Sequence, residues 1–294
     1  MIDPQWLWIA GRAVIDTTLM LLWGCFGYLS LAAPMPLKAA ITYRLAGLSA
    51  WCVTILGIAV LVILPAQVAY VADGWHDAVD TATVLSFLTL TNAGKAWLFL
   101  GGGTLLLVLT RFLMPGRSAE LAALAGLTLA SLTLSGHAAM NSGTMRTLHE
   151  AVDIVHVLSA GAWLGGLVGF VSILQATRDA VQRPHAARAL RRFSTLGHVA
   201  VALVLLSGGA NTLIVVGHLP TDWRSPYQGK LLIKIGLVMI MTFTAIANRY
   251  VFVPLLQKRN GWAETALRVG ASFEILLGAA AIALVAIFGT EDPA

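Results

Sequence analysis

Charge is what this chain has least of. Only 11% of its 294 residues are Asp, Glu, Lys or Arg, whereas a soluble globular domain carries roughly 25%. That shortage excludes an ordinary soluble enzyme. Cysteine is nearly absent as well. Cys25 and Cys52 are the two in the chain; both lie in apolar runs and neither forms a CxxC pair, so a disulfide framework is excluded. No GxxxxGK[ST] phosphate loop occurs, and Gly101-Gly102-Gly103 falls within an apolar run. No serine elbow accompanies a His/Asp pair, so nucleotide hydrolysis and triad chemistry are not expected. Met1-Ile2-Asp3-Pro4 offers no basic leader and no cleavage site follows it, so the first apolar run is expected to be a retained span.

What is abundant is apolar sequence. Hydrophobic residues make up 58% of the chain and the mean hydropathy is +0.81. Runs of about 20 residues, the length needed to cross a bilayer, recur eight times. The sequence therefore predicts an all-α polytopic membrane protein, one membrane domain over 1–294, with spans near 5–32, 43–67, 95–114, 119–140, 149–175, 193–216, 229–256 and 264–288. The stretch 78–93 is too polar to span and reads equally as a short interfacial helix or a loop.

The net charge of +5 is scattered between apolar runs rather than clustered, which argues against nucleic acid and for a topological signal. Twelve Lys and Arg fall on one side: Lys38, Arg44, Arg111, Arg117, Arg178, Arg183, Arg188, Arg191, Arg192, Lys258, Arg259 and Arg268. Four fall on the other: Lys95, Arg146, Arg224 and Lys230. The richer side is expected to be cytoplasmic, which puts both termini in the periplasm. A faint parallel 4+4 repeat runs through the chain. Asp16 to Trp23 and His156 to Trp163 have the same spacing, and Gly94-Lys95 and Gly229-Lys230 open spans three and seven.

The densest polar constellation lies at the outer ends of spans four and five. His137 closes span four, and His149, Asp153 and His156 form one stripe at the start of span five. Imidazoles, a carboxylate and the nearby thioethers Met140 and Met145 are what a soft or borderline transition metal prefers, copper above all. His149 and His156 are about 10 Å apart along an ideal helix. Either His149 precedes the first helical turn, or the stripe holds two adjacent stations. Arg12, Asp16, Lys234 and Glu274 fall inside spans, where ionisable residues are rare and pair inward. Arg12 is the expected partner of Asp16, and Lys234 that of Glu274. The network reads equally as structural ion pairs or as a gating, proton-coupled device. Met20, Met239, Cys25 and Cys52 are spread through the depth of the membrane and would form a soft ladder for Cu(I); the same residues are also ordinary core fillers.

His149-x3-Asp153-x2-His156-x6-Trp163-Leu164-Gly165-Gly166-Leu167 resembles the core signature of the copper resistance protein D family, CopD and PcoD. Supporting matches are Ser135-Gly136-His137, Arg192-Phe193-Ser194, Tyr227-x-Gly229-Lys230-Leu231-Leu232-x-Lys234, Ala247-Asn248-Arg249-x4-Pro254 and Glu274. The resemblance is strongest from about 130 to 290. It implies an eight-span inner-membrane protein in the lipid bilayer that works beside a periplasmic copper-binding protein of the CopC type and takes copper into the cytoplasm. His137, His149, Asp153 and His156 become the candidate copper ligands, with Cu(I) and Cu(II) both open. Two other readings stand beside copper import. One is a membrane cytochrome whose histidines, His137 and His156, hold haem b; the other is a docking or assembly protein that receives a copper carrier without moving the ion.

Overall fold

The computed structural model describes residues 3–135, 142–257, 261–289 and 291. Every regular element among them is helical. In order they are α1 (Pro4–Ala32), α2 (Met35–Arg44), α3 (Ala46–Val71), a 3₁₀ turn (Asp77–Val79), α4 (Thr81–Leu90), α5 (Asn92–Leu113), α6 (Ser118–Ser131) with a 3₁₀ extension (Leu132–Ser135), α7 (Gly143–Ala176), α8 (Arg183–Val216), α9 (Pro226–Ala247), a π-helical turn (Asn248–Phe252), α10 (Val253–Gln257) and α11 (Ala263–Phe288). Eight of these stretches are long and apolar enough to cross a membrane, matching the eight expected runs.

The boundaries differ where chain chemistry outweighs hydropathy. The Arg-rich stretch 178–192 is expected to separate spans, but its residues 183–192 are the first part of α8. Its proline sits in the first turn, where a missing N–H costs nothing, and its Ala, Arg and Leu residues favour helix. The segment after the 3₁₀ turn is α4, with the Asp80 side chain accepting from Thr83 N at 2.8 Å as its N-cap. Helix α7 starts at Gly143, six residues before His149. His149 therefore lies within regular helix, and the non-helical alternative for it is ruled out.

Helix α1 is central and packs on α3, α6, α7 and α11. Its contact with α7 is made backbone to backbone. A Cβ at Gly24 would overlap the Gly161 carbonyl oxygen, and one at Gly165 would overlap the Met20 carbonyl. Small residues permit such approach in bilayers, where apolar burial alone gives helices little reason to associate. The crossing is pinned by Trp23, whose indole N–H donates to Leu158 O at 2.9 Å. Tyr28 ties α1 to α8 by donating to Ala189 O at 2.8 Å. Helices α8 and α9 are peripheral: α8 rests mainly on α7 and α9 on α11, with no extended contact between α8 and α9.

The π turn has a local cause. Pro254 lacks an N–H and its ring crowds the carbonyl one turn back, at Tyr250. The helix accommodates this by widening over Asn248–Phe252, a form that recurs at functional sites.

Candidate functional site

Two cavities lie inside the helix bundle. The smaller, about 250 Å³, is bounded by α1, α7, α8, α9, α11 and the end of α6. It lies toward the membrane face where α7 begins, here the His149 face. His149, Asp153 and His156 line it, as do Arg12, Asp16 and Lys234. The metal-like stripe and most of the buried charges, separate features in the sequence, thus share one chamber. Helix periodicity explains half of this: positions 149, 153 and 156 fall on one face of α7. Packing of α1 and α9 against that face supplies the rest.

Asp153 and His156 are each held from α8. Asn211 on α8 donates to Asp153 Oδ1 at 2.8 Å. His156 Nδ1 lies 3.1 Å from Ser207 Oγ, and Ser207 in turn donates to Leu203 O. His156 also packs over Gly208, where a Cβ would come within 3.1 Å of the imidazole. His149 is 2% exposed although it is only two turns from the helix start. Lys234 lies within electrostatic reach of both Asp153 and His156, and Tyr227 within reach of Asp153.

Among the described residues, no three His, Cys, Asp or Glu side chains converge closely enough to hold one ion. The regular helix explains this, since it sets His149 and His156 about 10 Å apart. His137 and Met140 lie outside the described residues. The soft ligands divide sharply. Met20 lines the chamber, whereas Met239 is 42% exposed on the outside of α9. Met241, two positions on and about 200° around the helix, is buried and lines the chamber instead. Cys25 and Cys52 are buried near one another in the core and line neither cavity.

The buried charges pair differently from expectation. Arg12 and Asp16 feel one another electrostatically but form no direct ion pair. Glu274 is 1% exposed and is held by neutral donors. Trp163 Nε1 donates to Oε2 at 3.2 Å and Asn248 Nδ2 donates to Oε1 at 2.8 Å. Lys234 is not its partner, because it faces the smaller cavity while Glu274 faces the larger. Asn248 is delivered by the π turn and fits over Gly270, where any Cβ would overlap its amide. The sequence signal for it was the Ala247-Asn248-Arg249-x4-Pro254 string, which carries no role when read alone.

The larger cavity, about 1050 Å³, runs toward the opposite, Arg-rich face between α7, α8, the π turn and α11. Among the described residues, Trp163 alone lines both cavities. Its indole stands between them and is anchored by Glu274.

Eight long apolar helices, six of which contribute to a chamber of buried ionisable side chains, define a polytopic membrane protein with a polar site among its spans. The comparisons make that class specific. The family described as copper resistance protein D-like, N-terminal domain, matches residues 1–147, and copper resistance protein D matches residues 187–288. The chain is 33% identical to "Copper resistance protein D" of Pseudomonas syringae pv. tomato, over all of this chain and 98% of that protein. It is 31% identical to "Inner membrane protein YebZ" of Escherichia coli, over 97% of this chain and 98% of that one. A further relative, "Copper transport protein CutJ" of Bacillus subtilis, is 29% identical over 71% of this chain and 40% of its own length. No solved structure matches. The chain belongs to the copper resistance protein D family of copper resistance and transport proteins, and it is a multi-pass inner-membrane protein.

Proposed function

We propose that this protein carries copper from the periplasm to the cytoplasm, receiving it in the chamber lined by His149, Asp153 and His156. The observation that carries this reading is the gathering of those three side chains with Met20 and Met241 around one cavity, a mixed imidazole, carboxylate and thioether surface suited to copper in either oxidation state. His149 and His156 form successive stations, and Asp153 serves either. The His149 face is periplasmic and the Arg-rich face cytoplasmic, following the bias of Lys and Arg, so both termini are periplasmic. A periplasmic carrier of the CopC type delivers the ion.

From the chamber the ion passes Trp163, reaches the larger cavity and leaves at the Arg-rich face. Glu274 and Asn248 hold the Trp163 barrier. The whole chain works as one membrane domain, because α1 from the first half packs directly on α7 and α11 from the second. A parallel 4+4 repeat is supported by the same contact: Gly24 follows Trp23 and Gly165 follows Trp163 closely, and these glycines touch across the α1–α7 crossing.

Copper uptake by proteoliposomes tests the transport reading against a docking role. Wild-type protein should accumulate copper, and Asp153→Asn should lose at least about tenfold in rate, the scale on which groups around a metal act. Copper bound stoichiometrically without any accumulation inside would establish docking instead.

A further inference from the structure

The larger cavity is dominated by apolar side chains, yet it ends in guanidinium groups. Leu167, Phe170 and Val201 form part of its wall, and Arg183, Arg191 and Arg249 stand at its rim. Glu264 is also at this rim, but its carboxylate is engaged by Arg178 at 2.8 Å and by Arg268 at 3.5 Å. Arg183 spends its Nε on the Thr177 carbonyl. Arg191 and Arg249 have no hydrogen bond or ion pair with another described residue. The rim therefore carries cationic donors in excess of what the protein satisfies.

The cavity is flanked by α8 and α9. Helices α8 and α9 make no extended contact, and the gap is bridged by His198 and Tyr250. His198 Nδ1 lies 2.5 Å from the Ser194 carbonyl, which can only accept, so Nδ1 carries the proton; in the neutral ring Nε2 then accepts from Tyr250 OH at 3.1 Å. Arg191 is seven residues before His198 on α8, about 10 Å along an ideal helix. The guanidiniums thus stand at the Arg-rich end of the cavity, and the apolar wall of Leu167 and Val201 lies further along the helices.

The geometry points to a binding site for one anionic phospholipid between α8 and α9, its phosphate held by Arg191 and Arg249 and its chains lying along the apolar wall. Charge complementarity selects the occupant: bidentate guanidinium donors match a phosphate, and a zwitterionic lipid brings no net charge to offset them. The site shares the larger cavity with the proposed copper exit, but its test does not require copper to be bound.

Native mass spectrometry of the full-length protein in neutral detergent, offered equal amounts of phosphatidylglycerol and phosphatidylcholine, tests the assignment. One phosphatidylglycerol should be retained with a preference of roughly 25-fold, about fivefold for each of two guanidiniums near an anionic group. Arg191→Gln/Arg249→Gln should bring the preference close to parity, and Arg117→Gln, on the same face but outside the cavity, should leave it unchanged. Gly197 lines the cavity and a Cβ there meets no atom within 4 Å, so Gly197→Phe should evict the chains while all arginines remain. Equal retention of the two lipids, an unchanged preference in the double variant, or displacement of the lipid by inorganic phosphate alone would overturn the proposal.

Discussion

Asp153 is positioned by a side chain from another helix, and that bond has a measurable consequence. Asn211→Ala removes the 2.8 Å hydrogen bond to Oδ1. Hydrogen bonds to charged groups contribute about 1.5–3 kcal/mol, so the melting temperature in detergent should fall and copper affinity with it; Asn211→Ala with unaltered melting and affinity would remove Asn211 from the site. Asp80 gives a prediction in pH. Hydrogen bonds from Thr83 hold its carboxyl below the ordinary aspartate value of 3.8. The folded-state value is depressed, so the α4 cap is at full strength above the unfolded pKa and is lost as pH falls through the lower folded value. A carboxyl-carbon NMR titration should place the Asp80 midpoint below 3.8; a midpoint at or above it would contradict the cap. At this scale the sequence was informative about which residue types matter but not about phase between helices. The stripe of His149, Asp153 and His156 follows from helical periodicity within one element. The choice of Met241 over Met239, and of Trp163 and Asn248 over Lys234 as partners of Glu274, depends on how α9 and α11 are rotated in the bundle.

Among the elements, the α1–α7 crossing fixes the geometry of the chamber. Gly24→Leu or Gly165→Leu forces a side chain into opposing backbone, and should cost about 3 kcal/mol or more, at the upper end of overpacking penalties. Gly57→Ala on α3, where a Cβ meets nothing within 4 Å, should be neutral or slightly stabilising, by up to about 1 kcal/mol. Thermal unfolding of the detergent-solubilised variants distinguishes them, and equal melting of all three would contradict the packing. Trp163 acts at the same scale. Trp163→Ala should join the two cavities, so a cysteine placed at Thr212 in a Cys25→Ser/Cys52→Ser background becomes reactive toward an impermeant thiol reagent from the Arg-rich face. Trp163→Phe keeps the ring and should keep that cysteine protected. Protection in both variants would mean that the barrier lies elsewhere. The number of spans was legible because apolar length is a one-dimensional property. The start of α8 and the π turn were not, since both depend on how a proline is accommodated locally.

For the whole molecule, topology and cargo carry the account. We propose from the bias of Lys and Arg that both termini lie outside the cytoplasm, so reporter fusions after the last helix should behave as exported and fusions within 178–182 as cytoplasmic; the reverse pattern would invert the direction of transport. The family was readable from the ordered motifs between Ser135 and Glu274, whereas the merger of the metal-like stripe with Arg12, Asp16 and Lys234 into one chamber required the packed helices. The central claim is that copper binds in that chamber. Its most direct test is copper content per purified protein in wild type, Asp153→Asn and His156→Ala, with His76→Ala and His218→Ala, whose side chains lie outside both cavities, as controls. The account predicts at least about tenfold weaker copper binding in the first two variants and wild-type binding in the controls; equal binding across all five proteins would contradict it.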